Sequence, residues 1–197
     1  MRTFGVVTAV VVCAFVFGRL SAQDVNPSCA MCPSTYVSSE EIQRYAERGR
    51  ASGAVDQQVR SLDVGKSNVQ IAVAHRGQLQ VRAGRVAEHD LVTEVYYVLS
   101  GSGTVLTGPD LISSRRRPPD NRAVMYLNGP GHNAEDVRDG VINELKQGDV
   151  LVIPAGTGHE FTKIDDHITY LMVRIDPDKV VPLMDEAASR DYLASGP

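Results

Sequence analysis

The chain lacks an excess of positive charge. Its 20 lysines and arginines stand against 24 aspartates and glutamates, a formal net charge of −4 over 197 residues. That balance excludes a surface built as a whole for nucleic acid or for anionic membranes. Tryptophan is absent and no internal repeat is visible, so one domain with short appendages is expected. Long apolar runs are scarce too, and the one at the N-terminus is either an export signal or a membrane anchor. The apolar stretch at residues 4–17 is shorter than the roughly 20 residues a span needs. It follows Arg2 and precedes the small residues Ser21 and Ala22, the order of an export signal. Residues 1–22 are therefore expected to be a signal peptide, and the mature protein to be periplasmic or secreted, with no membrane contact after cleavage. Cysteine is scarce: Cys13 lies inside the signal, without the small-residue context of a lipoprotein site, leaving Cys29 and Cys32 as "CAMC". No second pair completes a zinc site, and no strand–helix pattern surrounds the pair as in thioredoxin-like motifs. In an oxidising compartment the expected outcome is a local disulfide or idle thiols.

The remaining chain divides by texture. Residues 23–60 form an N-terminal extension: a loose lead-in holding Pro27 and Pro33, then "SSEEIQRYAERGRASG". There Ser38 can cap a helix with Glu41 reaching back, Ile42, Tyr45 and Ala46 share one face, and Gly49 or Gly53 ends it. Residues 61–178 are short β-branched and aromatic runs punctuated by Gly, Asp and Pro, the pattern of an all-β sandwich or barrel; no intervening segment is long enough for βαβ crossovers. Residues 109–140 interrupt the rhythm as a long, polar, Pro- and Gly-rich excursion that either caps a site or covers an edge. Residues 179–197 close with a helix over about 182–193.

Two stretches carry candidate chemistry. In "EHDLVTEVYYVLSGSGTV", His89 and Glu94 stand five positions apart at the start of a strand-like run. Alternation puts Glu94, Tyr96 and Val98 on one side and Val95 and Tyr97 on the other. In "GDVLVIPAGTGHEF", Gly148 opens a turn, residues 150–153 read as a strand buried on both faces, and "PAGTGH" breaks sharply to present His159.

Together the two stretches resemble the motifs of the cupin superfamily. His89, Glu94 and Gly101 fit the second histidine, the glutamate and the terminal glycine of its first motif. Gly148, Pro154, Gly156 and His159 fit its second. The resemblance covers about residues 65–176 and implies a double-stranded β-helix, a small antiparallel barrel or jelly roll. It departs where Ala87 replaces the first histidine, Val81 an upstream glycine, and Lys163 the terminal asparagine of the second motif. Three of the usual four metal ligands therefore remain: His89, Glu94 and His159. Two imidazoles and one carboxylate suit a divalent metal ion, Fe2+, Mn2+, Zn2+ or Ni2+, and match the facial set of non-haem iron oxygenases. A cation would also relieve the cost of an unpaired glutamate inside an apolar barrel.

Around that centre, Tyr96 and Lys163 are the catalytic candidates, for proton transfer, on the expectation that both aim inward. His132 is a candidate fourth ligand from the excursion; His75 is expected to face solvent and His167 to lie in a hairpin. Phe161, Tyr170 and Met172 read as barrel lining, and Val150 and Val152 as core. Arg115, Arg116, Arg117 and Arg122 are either a solvated charged loop or a recognition site for carboxylate or phosphate. The resemblance implies a small-molecule ligand or substrate, a homodimer, and oxygenase, isomerase or lyase chemistry, with metal-dependent oxygenation favoured if the protein is catalytic. The alternative is a non-catalytic binding or sensing module.

Overall fold

The computed structural model describes residues 26–196. The expected signal, residues 1–22, lies outside them. Residues 26–33 belong to a unit apart from the body, in which Cys29 and Cys32 are joined by a disulfide. The body begins at Ser34.

Its first element is α1 (Ser39–Ser52). Ser38 caps it, accepting a hydrogen bond from the Glu41 amide at 3.1 Å, and Gly53 ends it in the left-handed region. Glu41 does not reach back to complete a capping box. Its carboxylate instead takes Arg60 Nη1 at 2.8 Å, because a buried guanidinium needs a counter-charge more than a helix end needs a second cap. Tyr45 and Ala46 are buried as the periodicity predicts.

Twelve strands follow: β1 (Asp56–Asp63), β2 (Asn68–Arg76), β3 (Val86–His89), β4 (Thr93–Gly108), β5 (Leu111–Ile112), β6 (Arg115–Arg116), β7 (Gly131–Ala134), β8 (Asp136–Val137), β9 (Val141–Lys146), β10 (Val150–Ile153), β11 (Gly158–Lys163) and β12 (Ile168–Asp176). The pairings assigned to them are all antiparallel. A short helix, α2 (Arg122–Tyr126), sits inside the excursion, and α3 (Glu186–Ala194), capped by Asp185, ends the chain. The last helix thus begins later than residue 182.

The long strand β4 belongs to two sheets. Its first half pairs with β12 and β10, and its second half with β11 and β9. β1 and β2 extend the first sheet beyond β12; β3, β7 and β6 extend the second beyond β11. The strand turns from one sheet to the other at Gly101, where φ is 75° and an added Cβ would lie 2.0 Å from the His167 carbonyl oxygen. Only glycine fits both constraints. Between the sheets lies the core of Val98, Val105, Phe161, Ile168, Tyr170 and Met172 with their neighbours. The lining expected of Phe161, Tyr170 and Met172 is realised there.

Helices α1 and α3 lie against the first sheet. Tyr45 hydroxyl reaches the Ser189 carbonyl at 2.6 Å, and Tyr45 and Ala46 pack with Val59 and Val73. Strand β10 is not buried on both faces. Val150 and Val152 are 59% and 57% exposed, while Ile153 is buried. The strand lies at a sheet edge, paired only with β4, so one of its faces meets no second layer.

Replacing Gly101 with alanine puts a Cβ into a backbone carbonyl at a left-handed position. Loss of about 3 kcal/mol of stability is expected, read as a lower urea midpoint at unchanged slope.

Candidate metal centre

Strands β3, β4 and β11 each deliver one donor. β3 ends on His89, β4 carries Glu94 in its first half, and β11 carries His159 as its second residue. His159 pairs across the sheet with Ala87, so His159 comes beside His89 through the β3–β11 contact. His89 Nε2 lies 3.7 Å from Glu94 Oε1, His159 Nε2 lies 3.5 Å from Glu94 Oε2, and the imidazole centroids are 5.2 Å apart. Their ligand atoms all fall within 4.8 Å of one another. Metal–ligand bonds of about 2.1 Å place adjacent donors roughly 3.0–3.4 Å apart in octahedral or tetrahedral sites, so small side-chain adjustments bring this trio onto one ion.

The electrostatics suit ligation. Burial pushes the His89 pKa down to about 3, with Glu94 opposing and His159, Arg117 and Arg174 reinforcing the shift. His159 is also lowered, mainly by burial. Both rings are therefore neutral at pH 7, the form that binds metals. Burial works against ionisation of Glu94, but the facing His89, the Arg174 guanidinium and His159 outweigh it and hold the carboxyl well below its usual range. With the imidazoles uncharged at pH 7, Arg174 carries that effect.

His159 has the tautomer a ligand needs. Its Nδ1 lies 3.2 Å from the Thr157 carbonyl, which only accepts, so Nδ1 holds the proton and Nε2 presents a lone pair. His89 differs: its Nδ1 faces Arg117 Nη1, a donor, at 3.5 Å. Ligation by His89 Nε2 thus requires Arg117 to withdraw from Nδ1.

Glu94 is more heavily engaged than its sequence context suggests. Oε1 accepts from Arg174 Nε at 2.8 Å and from Asn128 Nδ2 at 2.9 Å; Oε2 accepts from the Tyr96 hydroxyl at 2.8 Å. The expectation of an unpaired glutamate is corrected by Arg174, its direct cross-strand neighbour, which also bonds Gln58 and pairs with Asp56. One lone pair on Oε2 remains, enough for monodentate ligation.

The site forms one wall of a cavity of about 300 Å³, lined also by Arg76, Tyr96, Arg117, Asn128, Asn133 and Tyr170. Tyr96 aims inward, and burial and Glu94 raise its hydroxyl pKa well above normal. Lys163 does not aim inward. It is exposed, with Nζ 2.9 Å from Asp165 Oδ1, because the pairing of β11 with β4 slips between Phe161 and Lys163 and breaks the alternation. His132 stands apart from the trio, its Nδ1 2.9 Å from Glu88 Oε2 and 3.3 Å from Asp90 Oδ1. Those three donors form a second cluster, and Arg116 already pairs with its Asp90 at 2.8 Å.

Of the arginine run, Arg115 and Arg116 are exposed, whereas Arg117 is buried and reaches the cavity. Gly131 makes this possible: a Cβ there would lie 2.9 Å from Arg117 Nη1. The excursion is therefore a structured wall, held by β7 on β3 and β6 on β7. Arg76, Asn128 and Arg174 were not anticipated from sequence. The signal for Arg174 was its place two residues beyond Met172 and four beyond Tyr170, on the same strand face.

Both motifs thus converge where two antiparallel sheets, bridged by one bent strand, enclose a single cavity. The architecture is the double-sheet antiparallel barrel that the motif resemblance to cupins implies. No family model matches the sequence, and no curated protein does. Among solved structures, a cupin protein from Bacteroides fragilis is 18% identical over 55% of this chain and 65% of its own, just under two thirds, with a TM-score of 0.33. A protein from Bacillus halodurans is 16% identical over 76% and 86%, with a TM-score of 0.38. A cupin-2 domain protein from Shewanella frigidimarina is 17% identical over 53% and 68%, with a TM-score of 0.30. Likeness this distant says nothing about chemistry, which here rests on the chain's own residues.

Buried neutral histidines make the metal-free protein acid-sensitive. The unfolded chain takes up a proton near pH 6.5 that folded His89 refuses until about pH 3, so stability is complete above pH 6.5 and falls as pH drops below it. Between pH 6.5 and 5, above the range where Glu94 titrates, His89 alone should cost about 2 kcal/mol. Urea midpoints measured in chelator from pH 7 to 5 should fall accordingly, and His89→Gln should flatten the slope.

Proposed function

We propose that this is an exported cupin that holds a divalent cation between His89, Glu94 and His159 and acts on a small polar or anionic molecule in the adjoining cavity. The observation that carries the reading is the meeting of two neutral imidazoles and one ionised carboxylate, from three separate strands, on the wall of a cavity of about 300 Å³. When bound, a divalent ion would supply Lewis-acid chemistry or, as iron, activation of O2. Among oxygenase, isomerase and lyase reactions, a two-histidine, one-glutamate set favours iron-dependent oxygenation.

The chain's own residues have defined parts. The Tyr96 hydroxyl donates to Glu94 Oε2 and fixes which lone pair faces the cavity. Its raised pKa keeps it protonated, so it acts as a hydrogen-bond donor and not as a base. Arg174 and Asn128 hold Oε1 and prevent the carboxylate from turning. Lys163 takes no part, since it lies at the surface beside Asp165.

A second reading, a non-catalytic ligand-holding module, is favoured by the Arg174–Glu94 pair, which balances the carboxylate without any metal. Elemental analysis of the purified exported form separates the two. Near-stoichiometric metal in the wild type, cut at least tenfold by His89→Ala and by His159→Ala, is expected for the metal centre. Metal that is substoichiometric, or indifferent to both substitutions, leaves the module.

Export is supported by the order of residues 2–22 and by the Cys29–Cys32 disulfide, a bond that persists in oxidising compartments. Among the described residues no helix is long and apolar enough to cross a membrane. A homodimer is supported by the edge strand β10, whose exposed Val150 and Val152 lie opposite Tyr97 and Val95 of β4. Val152→Asp should convert the dimer to monomer in size-exclusion chromatography with light scattering while leaving bound metal unchanged. A wild-type mass already equal to one chain would refute this part of the proposal.

A further inference from the structure

Three guanidinium groups line the cavity: Arg76 from the end of β2, Arg117 from the excursion, and Arg174 from β12. They differ in what balances them. Arg174 is paired with Glu94 and Asp56, the two carboxylates on the same wall. Among the described residues, no carboxylate lies within 4.0 Å of Arg76 or Arg117. Arg76 gives its Nε to the Tyr170 hydroxyl at 3.1 Å and lies 5.0 Å from the Phe161 ring centroid. Arg117 gives Nε to Asn133 at 2.8 Å and Nη2 to the His132 carbonyl at 2.7 Å, which leaves Nη1 facing His89. Both are held by neutral hydrogen-bond partners, and the opposing charges act without direct contact, Asp56 on Arg76 and Glu88, Glu94 and Asp90 on Arg117. Taken over the wall, three arginines against two carboxylates leave one net positive charge, and a bound divalent cation would make it three.

Two guanidinium groups from different parts of the chain, each held in orientation and each without a direct ion-pair partner, are suited to one acid group apiece. We infer that the cavity takes a small dicarboxylate, one carboxylate held by Arg76 and the other by Arg117. This deepens the reading of the cavity as a binding site for a small molecule and rests on that reading. It also accounts for His89. A carboxylate that draws Nη1 of Arg117 onto itself removes the donor from His89 Nδ1, which frees that nitrogen to carry the proton ligation requires. Dicarboxylate and metal therefore strengthen each other's binding. The Asn128 and Asn133 side chains add neutral polar lining, and the volume is at the small end for ligand pockets, which restricts the molecule to a short chain.

The test is calorimetric titration of the full exported protein with succinate, propionate and succinamide at fixed ionic strength, first in chelator and then with Mn2+. Succinate should bind at least about tenfold tighter than propionate, and succinamide not measurably. Arg76→Gln and Arg117→Gln should each erase the preference for succinate while leaving propionate within about threefold. Arg76→Lys, which keeps the charge, should retain part of it. Should Arg117→Gln fail to fold, the two Arg76 variants still decide. Adding Mn2+ should tighten succinate binding in the wild type and less so in Arg117→Gln. A wild type that binds succinate no better than propionate, or a preference that survives both glutamine substitutions, overturns the inference. Metal content of the Mn2+-treated samples, measured after removal of free ion, separates this from the metal centre. A succinate preference without bound metal removes the centre alone, and stoichiometric metal without the preference removes the dicarboxylate alone.

Discussion

The buried contact between Glu94 and Arg174 organises the rest of the molecule. Both side chains are almost wholly shielded from water, and they face each other across the β4–β12 ladder as direct neighbours. Taking two such charges from water costs several kcal/mol each, repaid only if nearly every donor and acceptor is used. Here they are: Arg174 serves Glu94, Gln58 and Asp56, and Glu94 receives Arg174, Asn128 and Tyr96. The network therefore binds β1, β4, β12 and the excursion into one arrangement. It also fixes the carboxylate so that a single lone pair remains toward the histidines. A pair of this kind is weak as a source of stability but strong as a constraint on geometry.

The same contact changes what a metal would do. An isolated glutamate inside the barrel would need a cation to stay ionised, and the fold would then depend on it. With Arg174 in place the carboxylate is ionised already, so a metal would meet a ready carboxylate, and only His89 and its neighbour Arg117 would have to adjust. The price is a cavity wall that carries net positive charge before any metal arrives, which opposes a second cation unless an anion enters with it. A metal and an anion bound here would thus be coupled through charge, whichever reaction followed.

Much of this was legible in the sequence, for reasons that mark where legibility ends. Strand alternation placed Glu94, Tyr96 and Val98 inside, and Gly148 marked a turn, both local properties of consecutive residues; Gly101 was legible only as a motif glycine, not as the bend of β4. The three donors followed from motif spacing. What failed depended on register or on layer. Lys163 was placed inward by counting twos, and a slip in the β11–β4 pairing defeated the count. Residues 150–153 read as doubly buried because an apolar run does not say whether a second layer covers it. Arg174 sat on the inward face by the same alternation that placed Tyr170 and Met172, yet its partner eighty residues earlier is set by strand pairing, which no local pattern encodes.

The excursion shows how function is divided within the fold. The candidate donors for metal all stand on barrel strands, where backbone pairing fixes them from two sides. Two of the groups that would select a ligand, Arg117 and Asn128, stand on the inserted segment 109–140, and they reach inward because β7 and β6 extend the second sheet and carry the segment against the barrel mouth. Loops on a rigid frame tolerate change that strands do not. A related chain could therefore keep the His89, Glu94 and His159 arrangement and alter the excursion, gaining a different ligand without disturbing the ion pair on which the barrel is built. The absence of the first motif histidine fits this division. Ala87 leaves room on the wall between His89 and His159, and that room is part of the cavity that Arg76 and Arg117 face.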